Sequence, residues 1–137
     1  MEITQYKKEY RSCDHLVFSC QYHVIFTPKY RGKVLINGID ERLREIIKEK
    51  EEDYGYKVIE MEVMPDHVHL LMDLKPGIDI IRCVNLIKGY TSHILRNEFP
   101  ELRSKIPALW TRSKFMASVG AVTLEAVEKY IEDQKKV

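Results

Sequence analysis

Two alternating runs, "YKVIEMEVM" and "HVHLLMDL", are separated only by Pro65 and Asp66. A strand-like run that stops at a two-residue turn and resumes at once can only double back, so the pair predicts an antiparallel hairpin. That hairpin constrains the rest of the chain. The run before it, "HLVFSCQYHVIFTPKY", reads as one long strand with Leu16, Phe18, Cys20, Tyr22, Val24 and Phe26 along one face, weakened at Pro28. Between them Ile39, Leu43, Ile46, Ile47 and Tyr54 recur at helical spacing, with Gly55 as the stop. After the hairpin, a second helix is expected from about Asp79 to Asn97, with Ile80, Val84, Ile87, Thr91 and Ile94 as its apolar stripe. "LRSKIPALWTR" reads as irregular, "SKFMASVGA" as a fourth strand, and "TLEAVEKYIEDQ" as a last helix capped by Thr123. The order β-α-β-β-α-β-α predicts an α+β fold: a ferredoxin-like, split β-α-β antiparallel sheet with an extra C-terminal helix. Two helices would cover one sheet face, and the last helix is the spare element for the other.

A chain of 137 residues with 45% hydrophobic content suits a single domain, residues 1–137. No apolar run is long enough to span a bilayer, and the polar N-terminus lacks a signal-peptide core, so no membrane partner and a cytoplasmic location are expected. Three cysteines without a CxxC pair point to neither a disulfide framework nor a zinc ribbon. The net charge is +1, but Ile39–Gly55 alone carries −3, which leaves +4 on the remainder. Basic residues gather in "PKYRGK" and "LRSKIPALWTRSK". Lys29, Arg31 and Lys33, with Tyr30 among them, suit a grip on a nucleic-acid backbone with one base stacked, or equally a solvated basic turn. Arg103, Lys105, Arg112 and Lys114 around Trp110 present the same choice, with Trp110 itself read as a core anchor. Gly89, in mid-helix, costs about 1 kcal/mol against Ala and suggests close packing or a backbone approach. His15, His23 and His93 have no second ligand nearby in sequence and read as structural.

Alternation puts His67 and His69 on one side of their strand, with Val68 and Leu70 on the other. Two imidazoles so held can share a cation, or can be two polar residues on a partly buried strand. Tyr130 and Gln134, four apart on the last helix, share a face flanked by Val127 and Ile131. Tyr130 is then an ordinary packing residue, or a hydroxyl aimed at a group held beside the histidines while Gln134 offers its carbonyl oxygen. Two nitrogens and one oxygen with open positions suit Mg²⁺ or Mn²⁺ holding a phosphate.

"PDHVHLL" followed by "YIEDQ" resembles the single-tyrosine HUH transposases of the insertion-sequence 200/605 group, including those associated with repetitive palindromes. "YHVIFTPKYRGKVL", "LIKGYTSHILRNEFP" and "LWTRSKFMASVG" are similar to further blocks of that family in the same order, so the resemblance covers nearly the whole chain. Pro28 after Thr27, and "SKF" ahead of the fourth strand, are departures that miss the matched catalytic positions. The resemblance implies Tyr130 as nucleophile and His67, His69 and Gln134 as metal ligands. It also implies cleavage and rejoining of single-stranded DNA with hairpin ends through a 5′-phosphotyrosine, and a homodimer in which the tyrosine of one chain serves the histidines of the other. A domesticated relative that processes chromosomal palindromic repeats is the alternative within the same class. A non-catalytic nucleic-acid-binding module is the alternative outside it.

Overall fold

The computed structural model describes residues 11–13, 16–119 and 124–136. Two short strands, β1 (Arg11–Cys13) and β2 (Leu16–Phe18), pair with each other ahead of the main sheet. The expected long first strand is therefore broken. β3 runs only from Gln21 to Phe26, because the backbone at Cys20 is diverted: its N–H donates to the Asp73 carboxylate at 2.9 Å and its carbonyl accepts from Leu74 N–H. After β3 a single 3-10 turn covers Lys29–Arg31, with both Tyr30 (φ 60°) and Arg31 (φ 51°) in the left-handed region.

Helix α1 (Ile39–Glu49) buries Ile39, Leu43, Ile46 and Ile47, as their spacing requires, and a short α2 (Glu51–Tyr54) continues past a break at Lys50. Gly55 ends it at φ 78°, where an added Cβ would come within 2.9 Å of the Ile78 side chain. Strands β4 (Tyr56–Met64) and β5 (His67–Leu74) form the expected hairpin, with Met64 opposite His67 across Pro65 and Asp66. Helix α3 (Ile80–Glu98) is capped by the Asp79 carboxylate, which accepts from the Ile81 and Arg82 N–H groups. Its buried face is turned partly off the expected stripe: Cys83, Lys88 and Leu95 are buried with Val84, Ile87 and Thr91, while Ile80 and Ile94 are only half-buried.

The segment expected to be irregular contains a short helix, α4 (Glu101–Lys105), that seats Leu102 in the core. Trp110 packs edge-on against Phe26 with ring centres 4.7 Å apart, and its indole N–H donates to Thr91 Oγ1 at 3.0 Å, so its reading as a core anchor holds. Strand β6 (Phe115–Ser118) and helix α5 (Leu124–Asp133), prolonged by a 3-10 turn over Gln134–Lys136, complete the described chain. Thr123, the expected cap of α5, and His15 lie outside the described residues.

The main sheet has the order β4-β5-β3-β6 with every neighbour antiparallel, which is the ferredoxin-like arrangement expected. One face gives Val24, Phe26, Val63, Val68, Leu70 and Met72 to the core under α1 and α3. The other face carries Gln21, His23 and Ile25 of β3 beside His67, His69, Leu71 and Asp73 of β5. No helix among the described residues is long and apolar enough to cross a membrane.

Candidate active site

His67 and His69 do share the face away from the helices, and both are buried, each 7% exposed. His67 Nδ1 lies 2.8 Å from Asp66 Oδ1, while the other oxygen of that carboxylate pairs with Arg31 Nε at 2.9 Å. His67 Nε2 is buried and has no hydrogen-bond partner among the described residues. An imidazole that gives its Nδ1–H to a carboxylate keeps an Nε2 lone pair for a cation, and the carboxylate fixes its tautomer and aim. This orphaned nitrogen fits a divalent metal.

His69 has a partner the sequence did not reveal. The register sets His23 opposite Leu71, diagonal to His69, and His23 Nδ1 stands 3.0 Å from His69 Nε2. Burial, with His23 and His67 adding to it, pushes the His69 pKa down to about 4; burial lowers His23 as well, against the pull of Glu60. Both imidazoles are therefore neutral at neutral pH, the form that ligates metals. His23, read from sequence as merely structural, belongs to the same cluster.

Helix α5 sits over this face and over β6. The Tyr130 ring packs on Phe115, centroids 5.3 Å apart. Arg31 ties the helix end down: its guanidinium donates to the Ile131 carbonyl at 3.1 Å and to Glu132 Oε2 at 3.2 Å while holding Asp66. A cleft of about 250 Å³ lies between them, lined by Arg31, Asp66, His67, Glu128, Ile131 and Glu132. Gln134 is buried, and its Oε1 accepts from Ser113 Oγ at 2.6 Å; the same Ser113 oxygen accepts from the Tyr130 hydroxyl at 3.4 Å. Ser113 thus gathers the two functional groups expected on α5, and nothing in its sequence context signals that. Burial raises the Tyr130 pKa, opposed by the bond to Ser113, so the phenol is protonated at neutral pH. Among the described residues no three His, Cys, Asp or Glu side chains cluster in a way that holds a metal.

The basic candidates divide. Arg31 is committed to Asp66 and α5. Tyr30 is 59% exposed, with Lys29 Nζ 5.2 Å from its ring centre, and Lys33 is exposed beside them, so this turn presents a ring and two cations to solvent. Arg103 bonds Asn97 of α3, and Lys105 is exposed on α4. Arg112 and Lys114 flank Ser113 on the irregular segment leading into β6. The space above Gly89 is open, with no atom within 4 Å of an added Cβ, so the close packing expected there is absent.

Residues 16–134 match the family model for IS200-like transposases. The ISDra2 transposase TnpA of Deinococcus radiodurans is 36% identical over 120 residues, 86% of either chain. The transposase of insertion sequence IS200 from Salmonella typhimurium is 27% identical over 126 residues, 90% of this chain and 82% of that one. Among solved structures, a transposase from Deinococcus radiodurans superposes with a TM-score of 0.82 at 31% identity, covering 90% of this chain and 97% of its own. A REP-associated tyrosine transposase bound to a REP hairpin shares the fold at a TM-score of 0.54 and 14% identity, over 95% of this chain and 69% of its own. On the extent of these matches, the chain belongs to the IS200-like transposase family.

Proposed function

We propose that this transposase cleaves and rejoins single-stranded DNA at hairpin-marked ends, with Tyr130 as nucleophile. The observation that carries the reading is the meeting of the Tyr130 hydroxyl and the Gln134 oxygen on Ser113, on the helix that closes over His67 and its unpartnered nitrogen.

In the forward step Tyr130 Oη attacks a backbone phosphorus. The Oη–P bond forms as the P–O3′ bond breaks, leaving a 5′-phosphotyrosine and a 3′-hydroxyl. The phenol proton leaves Tyr130, and the departing O3′ takes one up. Attack by a 3′-hydroxyl on the phosphotyrosine reverses the step and joins strands, so the diester bond is conserved without ATP. A protonated phenol with an ordinary pKa of about 10 needs help to ionise, and burial raises that need. His67, His69 and Gln134 are the residues that would hold Mg²⁺ or Mn²⁺. Bound there, the cation would offset charge on the scissile phosphate. Asp66 and Arg31 aim His67, and Arg31 holds the tyrosine-bearing helix over the same face. The basic turn at Lys29, Tyr30 and Lys33 gives the approaching strand countercharge and a ring to stack on. The hairpin preference and the homodimer follow from the family resemblance.

The test is incubation of the protein and Mn²⁺ with labelled single-stranded oligonucleotides copied from the flanks of its gene, with the hairpin intact or scrambled. A covalent protein–DNA adduct on a denaturing gel, lost in Tyr130→Phe, is expected. Hairpin-bearing single strands should bind more tightly than plain duplex, with affinity falling as salt rises. Tight binding with no adduct would make the protein a nucleic-acid-binding module instead.

A further inference from the structure

A second feature lies on the far side of Ser113. Asn85, Gly89 and Ser92 share one face of α3, and this face forms one wall of a groove of about 480 Å³. The opposite wall is the irregular segment that carries Arg112 and Lys114, and Trp110 contributes to the lining. No acidic side chain lines it. Lys88 is buried at its base and donates from Nζ to the carbonyls of Thr111 at 2.6 Å, Ser113 at 3.3 Å and Arg112 at 3.4 Å. A buried ammonium is costly unless its donors are used, and here three are. The wall carrying Arg112 and Lys114 is thereby fixed to α3. It is continuous with the Ser113 hydroxyl that meets Tyr130 and Gln134.

We propose that this groove binds the phosphodiester backbone of single-stranded DNA, as the channel that leads a strand to or from Tyr130. The inference rests on the reading of Tyr130 as the DNA-cleaving residue. Arg112 and Lys114 stand in its lining with no carboxylate to oppose them, among Ala108, Leu109 and Trp110. It opens beside the residue that holds the nucleophile. Gly89 is the informative position. A glycine at mid-helix costs about 1 kcal/mol against alanine, and no neighbouring protein atom occupies the space that a side chain there would fill. Absence of a side chain keeps the groove open for a strand to approach the helix.

Three variants test this by fluorescence anisotropy with a labelled single-stranded oligonucleotide from the gene's flank. Gly89→Ala should raise Tm, since its methyl enters open space and its helix propensity is better. Gly89→Gln, which places a long side chain in the groove, should weaken binding about tenfold. Arg112→Gln combined with Lys114→Gln should reduce the slope of log affinity against log salt by about 1.4, the value for two phosphate contacts on a single strand. Wild-type affinity and an unchanged salt slope in both Gly89→Gln and the double variant would overturn the groove and leave the proposed function standing. A wild-type protein that fails to bind the strand at all would overturn that function, and the groove with it. Should Gly89→Gln lose its fold, the double variant decides alone.

Discussion

His23 Nδ1 lies 3.0 Å from His69 Nε2, on a face of the sheet where both rings are buried. The contact joins residues 46 apart in the chain and ties the outer ring of the cluster to a proposed ligand. Replacing His23 by Phe should therefore leave the fold in place but loosen His69. Mn²⁺ affinity measured by calorimetry is expected to fall about 10- to 100-fold, the usual cost of losing the group that orients a ligand. Unchanged affinity would show that His69 needs no such support.

The same cluster sets a pH dependence. His69 is held at about 4 in the folded chain against 6.5 for a free imidazole. Between those values the unfolded chain binds more protons than the folded one, so stability of the metal-free protein is complete above about pH 6.5 and falls as pH drops toward 4. The loss from this group is about 3 kcal/mol, at 1.36 kcal/mol per pKa unit. Urea unfolding in chelator across that window, compared with His69→Gln, measures it; parallel curves for the two proteins would count against it.

Arg31 is the fastening between Asp66 and the last helix. Arg31→Gln should free the end of α5 while the core persists. Amide exchange over 124–136 is expected to speed up, with little change over β4 and β5, and DNA cleavage should decline. Equal exchange in both proteins would mean that the Phe115–Tyr130 packing holds the helix unaided.

Within the core, Thr91 Oγ1 accepts from the indole N–H of Trp110 and donates its own O–H to the Ile87 carbonyl. Thr91→Val keeps the shape and strands the indole donor. A loss of about 1–3 kcal/mol in denaturant unfolding is expected, without effect on metal affinity.

In the single chain α5 rests on its own sheet. The resemblance nevertheless implies a homodimer in which Tyr130 serves the partner's histidines. Mixed dimers of His67→Ala and Tyr130→Phe chains, each inactive alone, separate the two arrangements. Shared sites restore one intact site and place the adduct only on the His67→Ala chain. Separate sites leave every site damaged, and heterodimers confirmed by tagged pull-down would then be inactive.

Much of this architecture is legible in the sequence because it is written in local periods. The hairpin, the spacing of Ile39 to Ile47 and the side taken by His67 and His69 all follow from alternation or helical repeat. What was missed depends on partners distant in the chain. The break at Cys20 is made by Asp73, 53 residues on. Lys88 looks like a solvated helix residue until the carbonyls of 111–113 are seen around it, and it joins the buried face of α3. His23 and Ser113 carry no motif of their own. They enter the site only because sheet register and the docking of α5 bring them there.

The two-residue connection at Pro65 and Asp66 has a consequence for how such a site can be lost. Strand faces alternate with period 2, so one residue gained or deleted just before His67 would turn both imidazoles into the hydrophobic layer and expel Val68 and Leu70 from it. The same slip would part Asp66 from His67 and Arg31. The aim of the two imidazoles and the packing of the core thus depend on the same alternation of the strand. Small insertions at this turn should yield chains that fail to fold, and the route to a folded but silent descendant runs through substitution of the histidines or Tyr130.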